Sequence, residues 1–144
     1  MLVAFGLGGV AFALIVRGAV RRLGERGLAV GGTLLLGTAM ALLAIVPWAA
    51  FAPFACLAAG FGFYMLHNTL QTNATQMSPR RRGAGMALFA SSYFIGQSAG
   101  VAIAGTAAQA WGTTPVLLGA AVLLIPIGLT FARLLRAKAG PGRA

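Results

Sequence analysis

The sequence predicts an all-α, polytopic membrane protein of about five transmembrane helices, forming a single transmembrane domain over residues 1–144. Three observations predict it. Of the 144 residues, 59% are hydrophobic and only 8% charged, against about 25% charged residues in ordinary soluble domains. The charges fall in three short clusters, Arg17 to Arg26, Arg80 to Arg82 and Arg133 to Arg143, with long uncharged stretches between them. Those stretches approach the ~20 apolar residues that a helix needs to cross a hydrocarbon core of about 30 Å. They also lack the period-two alternation of a barrel strand.

The first span, 1–16, is short and ends at Arg17. No basic residue precedes its apolar run, so it lacks the n-region of a cleavable signal peptide. It contains "GLGGVA", residues 6–11, which satisfies G-x-G-x-x-A; with no strand before it and an apolar setting, the glycines read as helix-packing residues rather than a phosphate loop. The second span, 28–47, runs to Pro47, and the third covers 53–76. The fourth covers 84–107 and the fifth 115–132, followed by a basic tail, 133–144. Pro53 and Pro115 stand in first turns, where a missing N–H costs little, and Thr114 is the expected N-cap of the fifth span. Pro126 predicts a kink near Gly128.

The connections alternate in charge. Residues 17–27, 77–83 and the tail are basic; 48–52 and 108–114 are uncharged and carry Trp48 and Trp111. By the positive-inside rule the basic connections and the C-terminus lie in the cytoplasm, with the tryptophans as anchors at the outer interface. The net charge of +10 would favour nucleic acid in a soluble protein. Its placement here reads as orientation against a lipid bilayer, and no nucleic-acid partner is expected. Attraction of the clusters to anionic headgroups is the lesser reading. The single cysteine, Cys56, excludes an intrachain disulfide and a multi-thiolate metal site. No metal and no cofactor is expected.

"GQSAG", residues 96–100, fits the G-x-S-x-G pattern of a hydrolase nucleophile elbow, which needs a strand, a sharp turn, an acid and then a histidine. Ser98 instead lies within an uncharged helical run. The chain has no aspartate, its one acid is Glu25, and His67 precedes the serine. No catalytic residue is assigned and no enzyme is expected. Ser92, Gly96, Gly100 and Ala104 recur every four positions, a smooth stripe for a neighbouring helix. The third span is polar in its cytoplasmic half: His67, Asn68, Thr69, Gln71, Thr72, Asn73, Thr75 and Gln76. Hydrocarbon does not solvate such groups. Asn68, Thr72 and Thr75 share a face that should border a water-accessible cavity, whereas Asn73 and Gln76 are expected to bond neighbouring helices or sit at the headgroups. Counting 1.5 Å per residue, Tyr64, His67, Asn68, Tyr93 and Gln97 fall near the midplane and are the cavity-lining candidates. His67 is the only titratable group at that depth, and reads first as an uncharged hydrogen-bonding partner.

Four stretches together resemble the C-terminal half of the major facilitator superfamily, its eighth to twelfth helices, particularly bacterial drug-efflux-like and sugar-efflux-like members. "RRLGER", residues 21–26, is similar to the degenerate second copy of the family's G-x-x-x-D-R-x-G-R-R loop motif. Arg22, Gly24 and Arg26 match; Arg21 replaces the acid, Glu25 replaces a base, and Gly18 is one place late. "QMSPRRRGAGMAL", 76–88, resembles the link between the tenth and eleventh helices. "SSYFIGQSAGVAIAG", 91–105, resembles the glycine-rich eleventh, and "YMLHNTLQTNATQ", 64–76, the tenth. The resemblance implies a partial transporter fold in a bacterial inner (plasma) membrane. It implies secondary active efflux of a small molecule, proton-coupled, by alternating access around a midplane site. The odd helix count and clipped first span add the expectation that this chain is a fragment, lacking an N-terminal transporter half that would hold the acidic proton carrier. The alternative is a free-standing five-helix membrane scaffold or subunit of a larger complex.

Overall fold

A computed structural model describes residues 1–76 and 81–139. Residues 77–80, with Arg80 and part of the expected cytoplasmic link, and residues 140–144, with Arg143, lie outside the described residues. The protein is all-α. Helix α1 covers Leu2–Ile45, α2 Ala52–Gln76, α3 Arg82–Trp111 and α4 Thr113–Ala139, with a 3-10 turn at Ala49–Phe51 before α2. All four helices are long and apolar enough to cross a membrane.

Helix α1 is not a straight rod. Gly24 has φ 65° and ψ 173°, a left-handed backbone that side chains with a Cβ resist, and the helix divides there into arms 2–23 and 25–45. Gly8 meets the backbone of Leu57 and Phe61, and Gly32 meets Gly62 and Leu66. A straight helix would put Gly8 and Gly32 about 36 Å apart, yet both rest on the 57–66 stretch of α2. The chain therefore reverses at Gly24. The basic segment 17–27, expected as a loop, is helical on both sides of this one residue, because Gly24 makes the reversal alone.

The closest packing is between the two arms of α1 and α2. A Cβ at Gly60 would collide with the Phe5 carbonyl, and one at Gly32 would lie 2.7 Å from the Gly62 carbonyl oxygen, so absent side chains allow backbone contact on both sides of α2. Phe12, Leu28 and Met65 form the buried core, with Val16, Ala19 and Phe61 packed around them. Helix α4 packs on the second arm, where Gly128 faces the Thr33 side chain and Gly37 faces the Ala121 carbonyl. It runs through Pro126 without a break. Helix α3 is peripheral: it has no buried residue and touches α2 and α4 only lightly.

Thr114 does not cap α4. The helix starts at Thr113, after Gly112 at φ 86°. The Thr114 hydroxyl donates instead to the Ala44 carbonyl at 3.5 Å, serving one of the carbonyls orphaned at the end of α1. Successive contacts give the helix directions. Ala44 pairs with Thr114, Gly37 with Ala121 and Thr33 with Gly128, so α4 is antiparallel to the second arm. Ala74 pairs with Gly85, and His67 with Phe89 and Tyr93, so α3 is antiparallel to α2. The exposed Arg17, Arg21, Arg22, Arg26, Arg81, Arg82, Arg133 and Arg136 therefore gather at one end of the bundle. Trp48 and Trp111, 76% and 75% exposed, lie at the other.

Candidate functional site

The polar residues of α2 divide between two faces. Thr69 and Asn73 are buried against α1. The Thr69 hydroxyl donates to the Met65 carbonyl at 2.9 Å, and the Asn73 amide donates to the Thr69 carbonyl at 3.0 Å and to Glu25 Oε2 at 2.9 Å. Glu25 is the only acid of the chain. It opens the second arm, where a helix N-terminus favours a carboxylate, and its bond to Asn73 ties the Gly24 reversal to the end of α2. Asn73 thus bonds a neighbouring helix.

The other face of α2 meets α3 through rings. His67 stacks on Phe63 with centroids 5.3 Å apart and planes at 15°. It meets Tyr93 edge-on at 4.9 Å and Phe89 at 5.6 Å. Phe63 packs edge-to-face on Tyr64 at 5.4 Å, and Phe5 of the first arm lies 5.6 Å from Phe63. The result is a continuous aromatic cluster from α1 across α2 to α3, with His67 at its centre. Each such ring pair adds about 0.5–1.5 kcal/mol beyond buried area. His67 and Tyr93 sit within about 5 Å of the midpoints of their helices, at 1.5 Å rise per residue.

Of the five cavity candidates, the structure brings His67 and Tyr93 into direct contact and adds Tyr64 through Phe63. Asn68 follows His67 and is half-buried; Gln97 is one turn beyond Tyr93 and exposed. None of the five has a hydrogen-bonding partner among the described residues. Gln71 reaches α3 by a long contact from its amide to the Met86 sulfur, 3.9 Å.

The remaining candidates separate. Of the loop-motif set, Gly24 makes the reversal, while Arg22 and Arg26 are exposed beside it. Of the packing stripe, Ser92, Gly96 and Gly100 are exposed, and a Cβ at Gly96 or Gly100 would meet nothing within 4 Å. Ser92 borders a groove toward α2, and Gly100 and Ala104 border one toward α4. Sequence reasoning missed Phe63 and Phe89, whose spacing of four residues from His67 and Tyr93 was the available signal, and it missed the Glu25–Asn73 bond, which joins residues 48 apart. The described residues contain no cluster of three or more His, Cys, Asp or Glu able to hold a metal.

No protein-family model, curated protein or solved structure matches the chain. The site must therefore be read from its chemistry. At mid-height the bundle carries an imidazole, two phenols and two amides: His67 and Tyr93 meet between α2 and α3, the Tyr64 ring lies against Gly9 of the first arm, and Asn68 and Gln97 stand half-buried and exposed nearby in sequence. Side chains of these kinds can hold a small molecule by stacking and hydrogen bonding, and they offer no carboxylate to neutralise a cation.

Proposed function

We propose that the protein is an integral membrane protein forming one wall of a secondary active transporter for a small molecule, with efflux as the favoured direction. The observation that supports this most is the set of polar side chains at mid-height, His67, Asn68, Tyr93 and Gln97, without hydrogen-bonding partners among the described residues. In hydrocarbon each unsatisfied polar group costs several kcal/mol, so this face is expected to meet water or ligand. Secondary transporters bind substrate at this depth. The two arms of α1 and helices α2 to α4 would each cross the bilayer, with the arginine end in the cytoplasm. Transport would proceed by rocking of this wall against a further set of helices that closes the cavity. The similarity to the major facilitator superfamily in "RRLGER" and the glycine-rich α3 points the same way.

The test is accumulation of fluorescent probes of both charges, ethidium and fluorescein, in cells producing this chain joined to the further helices that close the cavity, since one wall alone is expected not to transport. Lowered accumulation of either probe, reversed by Asn68→Ala and by Gln97→Ala, is expected. Unchanged accumulation, or full activity in both variants, would contradict the reading. The unburied Gly96 and Gly100 favour a second reading, a membrane scaffold whose α3 receives a partner helix. It differs in leaving accumulation unchanged while co-purifying with that partner.

A further inference from the structure

The end of α2 and the first turns of α3 enclose a groove of about 510 Å³ that the transport reading does not use. Arg81 stands at its mouth. Ala74 and Gly85 form a narrow part, where a Cβ on Gly85 would lie 2.9 Å from the Ala74 carbonyl oxygen. Leu88, Phe89 and Ser92 continue the lining toward mid-height. Phe89 also belongs to the ring cluster around His67, so the groove leads from the arginine end of the bundle to the candidate site.

Two properties define an occupant. The first is charge. The mouth belongs to the end where the eight exposed arginines of the described helices gather, and the only acid, Glu25, already accepts a hydrogen bond from Asn73. An anion is favoured there, and a guanidinium fork matches phosphate oxygens. The second is the change of polarity with depth. Below Arg81 the described lining residues carry no charge. From Arg81 to Ser92 the helix rises about 16 Å, close to half of a hydrocarbon core about 30 Å thick. A molecule that is anionic at one end and apolar for half a bilayer is a lipid of one leaflet.

We propose that this groove binds one anionic phospholipid, its phosphate at Arg81 and an acyl chain along Leu88 and Phe89. The inference rests on insertion into a bilayer and is independent of transport. The whole chain is placed in nanodiscs of equal phosphatidylglycerol and phosphatidylcholine, its membrane insertion is checked by resistance to alkaline carbonate, and the lipids it retains are weighed by native mass spectrometry. Phosphatidylglycerol is expected to be retained preferentially. Arg81→Gln lowers the preference about fivefold, the contribution of one basic side chain at a charged surface. Ser92→Phe, which fills the deep end, lowers retention of both lipids. Arg133→Gln combined with Arg136→Gln, at the same end but outside the groove, leaves the preference unchanged, and excess soluble glycerol phosphate displaces nothing. Equal retention of the two lipids, or a preference that survives Arg81→Gln, would overturn the proposal. Displacement by glycerol phosphate would replace it with a site for free phosphate esters. Loss of resistance to carbonate would overturn insertion itself, and the lipid site with it.

Discussion

At the scale of single residues, the glycines fall into two groups with opposite expected behaviour. Gly8, Gly32, Gly60 and Gly62 lie where a Cβ would press on a neighbouring backbone, whereas Gly96 and Gly100 face open space. Gly60→Ala should lower stability by about 1–3 kcal/mol, the usual cost of overpacking, read as an earlier midpoint in a detergent unfolding titration. Gly96→Ala should stay within about 0.5 kcal/mol of the parent, as for substitutions that touch nothing. Equal losses at both positions would mean that α3 is packed as tightly as α2. Gly24 is a third case: its positive φ with extended ψ, a region that essentially only glycine occupies, makes Gly24→Ala costly through the backbone alone, by about 1–3 kcal/mol. Asn73→Ala removes the partner of Glu25; a hydrogen bond to a charged group contributes about 1.5–3 kcal/mol. Glu25→Gln, which keeps an acceptor oxygen, should lose less, and the same titration orders the pair.

At the scale of elements, α2 and α3 are both apolar helices, but their surroundings differ. Helix α2 lies between the two arms of α1, buried at Ala55, Ala59, Gly60, Gly62, Met65, Thr69 and Asn73, while α3 buries nothing. Local opening is governed by how much packing must be broken. In detergent, backbone amides of 86–108 should exchange with deuterium at least about tenfold faster than those of 55–73, as resolved by peptide mass analysis. Matched rates would show that α3 has packing partners on its bare face. The element scale is also where sequence reading was strongest and where it stopped. The all-α class, with helices long and apolar enough to cross a membrane, was legible because runs of uninterrupted apolar residues have few other solutions. The reversal in α1 was not: Arg17 to Arg26 has the composition of a loop, and only the backbone angles reveal that one glycine suffices. Thr114 had the identity of an N-cap, but its hydroxyl found a carbonyl of another helix. The ring cluster depends on which faces of α2 and α3 meet, a tertiary fact that periodicity along one helix does not contain.

At the scale of the whole molecule, the arginines at one end and the tryptophans at the other give the bundle a polarity that its sequence already carried in alternating connections. That polarity matches a bilayer crossed in one fixed orientation. A fluorescent protein fused at the C-terminus should fluoresce in the cytoplasm, and alkaline phosphatase inserted at Gly112 should be active outside; the opposite pair of results would invert the bundle. The candidate site was legible as depth, since Tyr64, His67, Asn68, Tyr93 and Gln97 were chosen by counting along helices. Which of them touch was not.

The central claim is that the polar face at mid-height meets water within a membrane protein. Its most direct test is thiol labelling in membranes, with Cys56 replaced by alanine and single cysteines placed at Asn68, Gln97 and the apolar, exposed Val101. A water-soluble, membrane-impermeant reagent should modify cysteine at positions 68 and 97 and leave position 101 unmodified. Protection at all three positions would place the face against lipid or a packed partner and contradict the account.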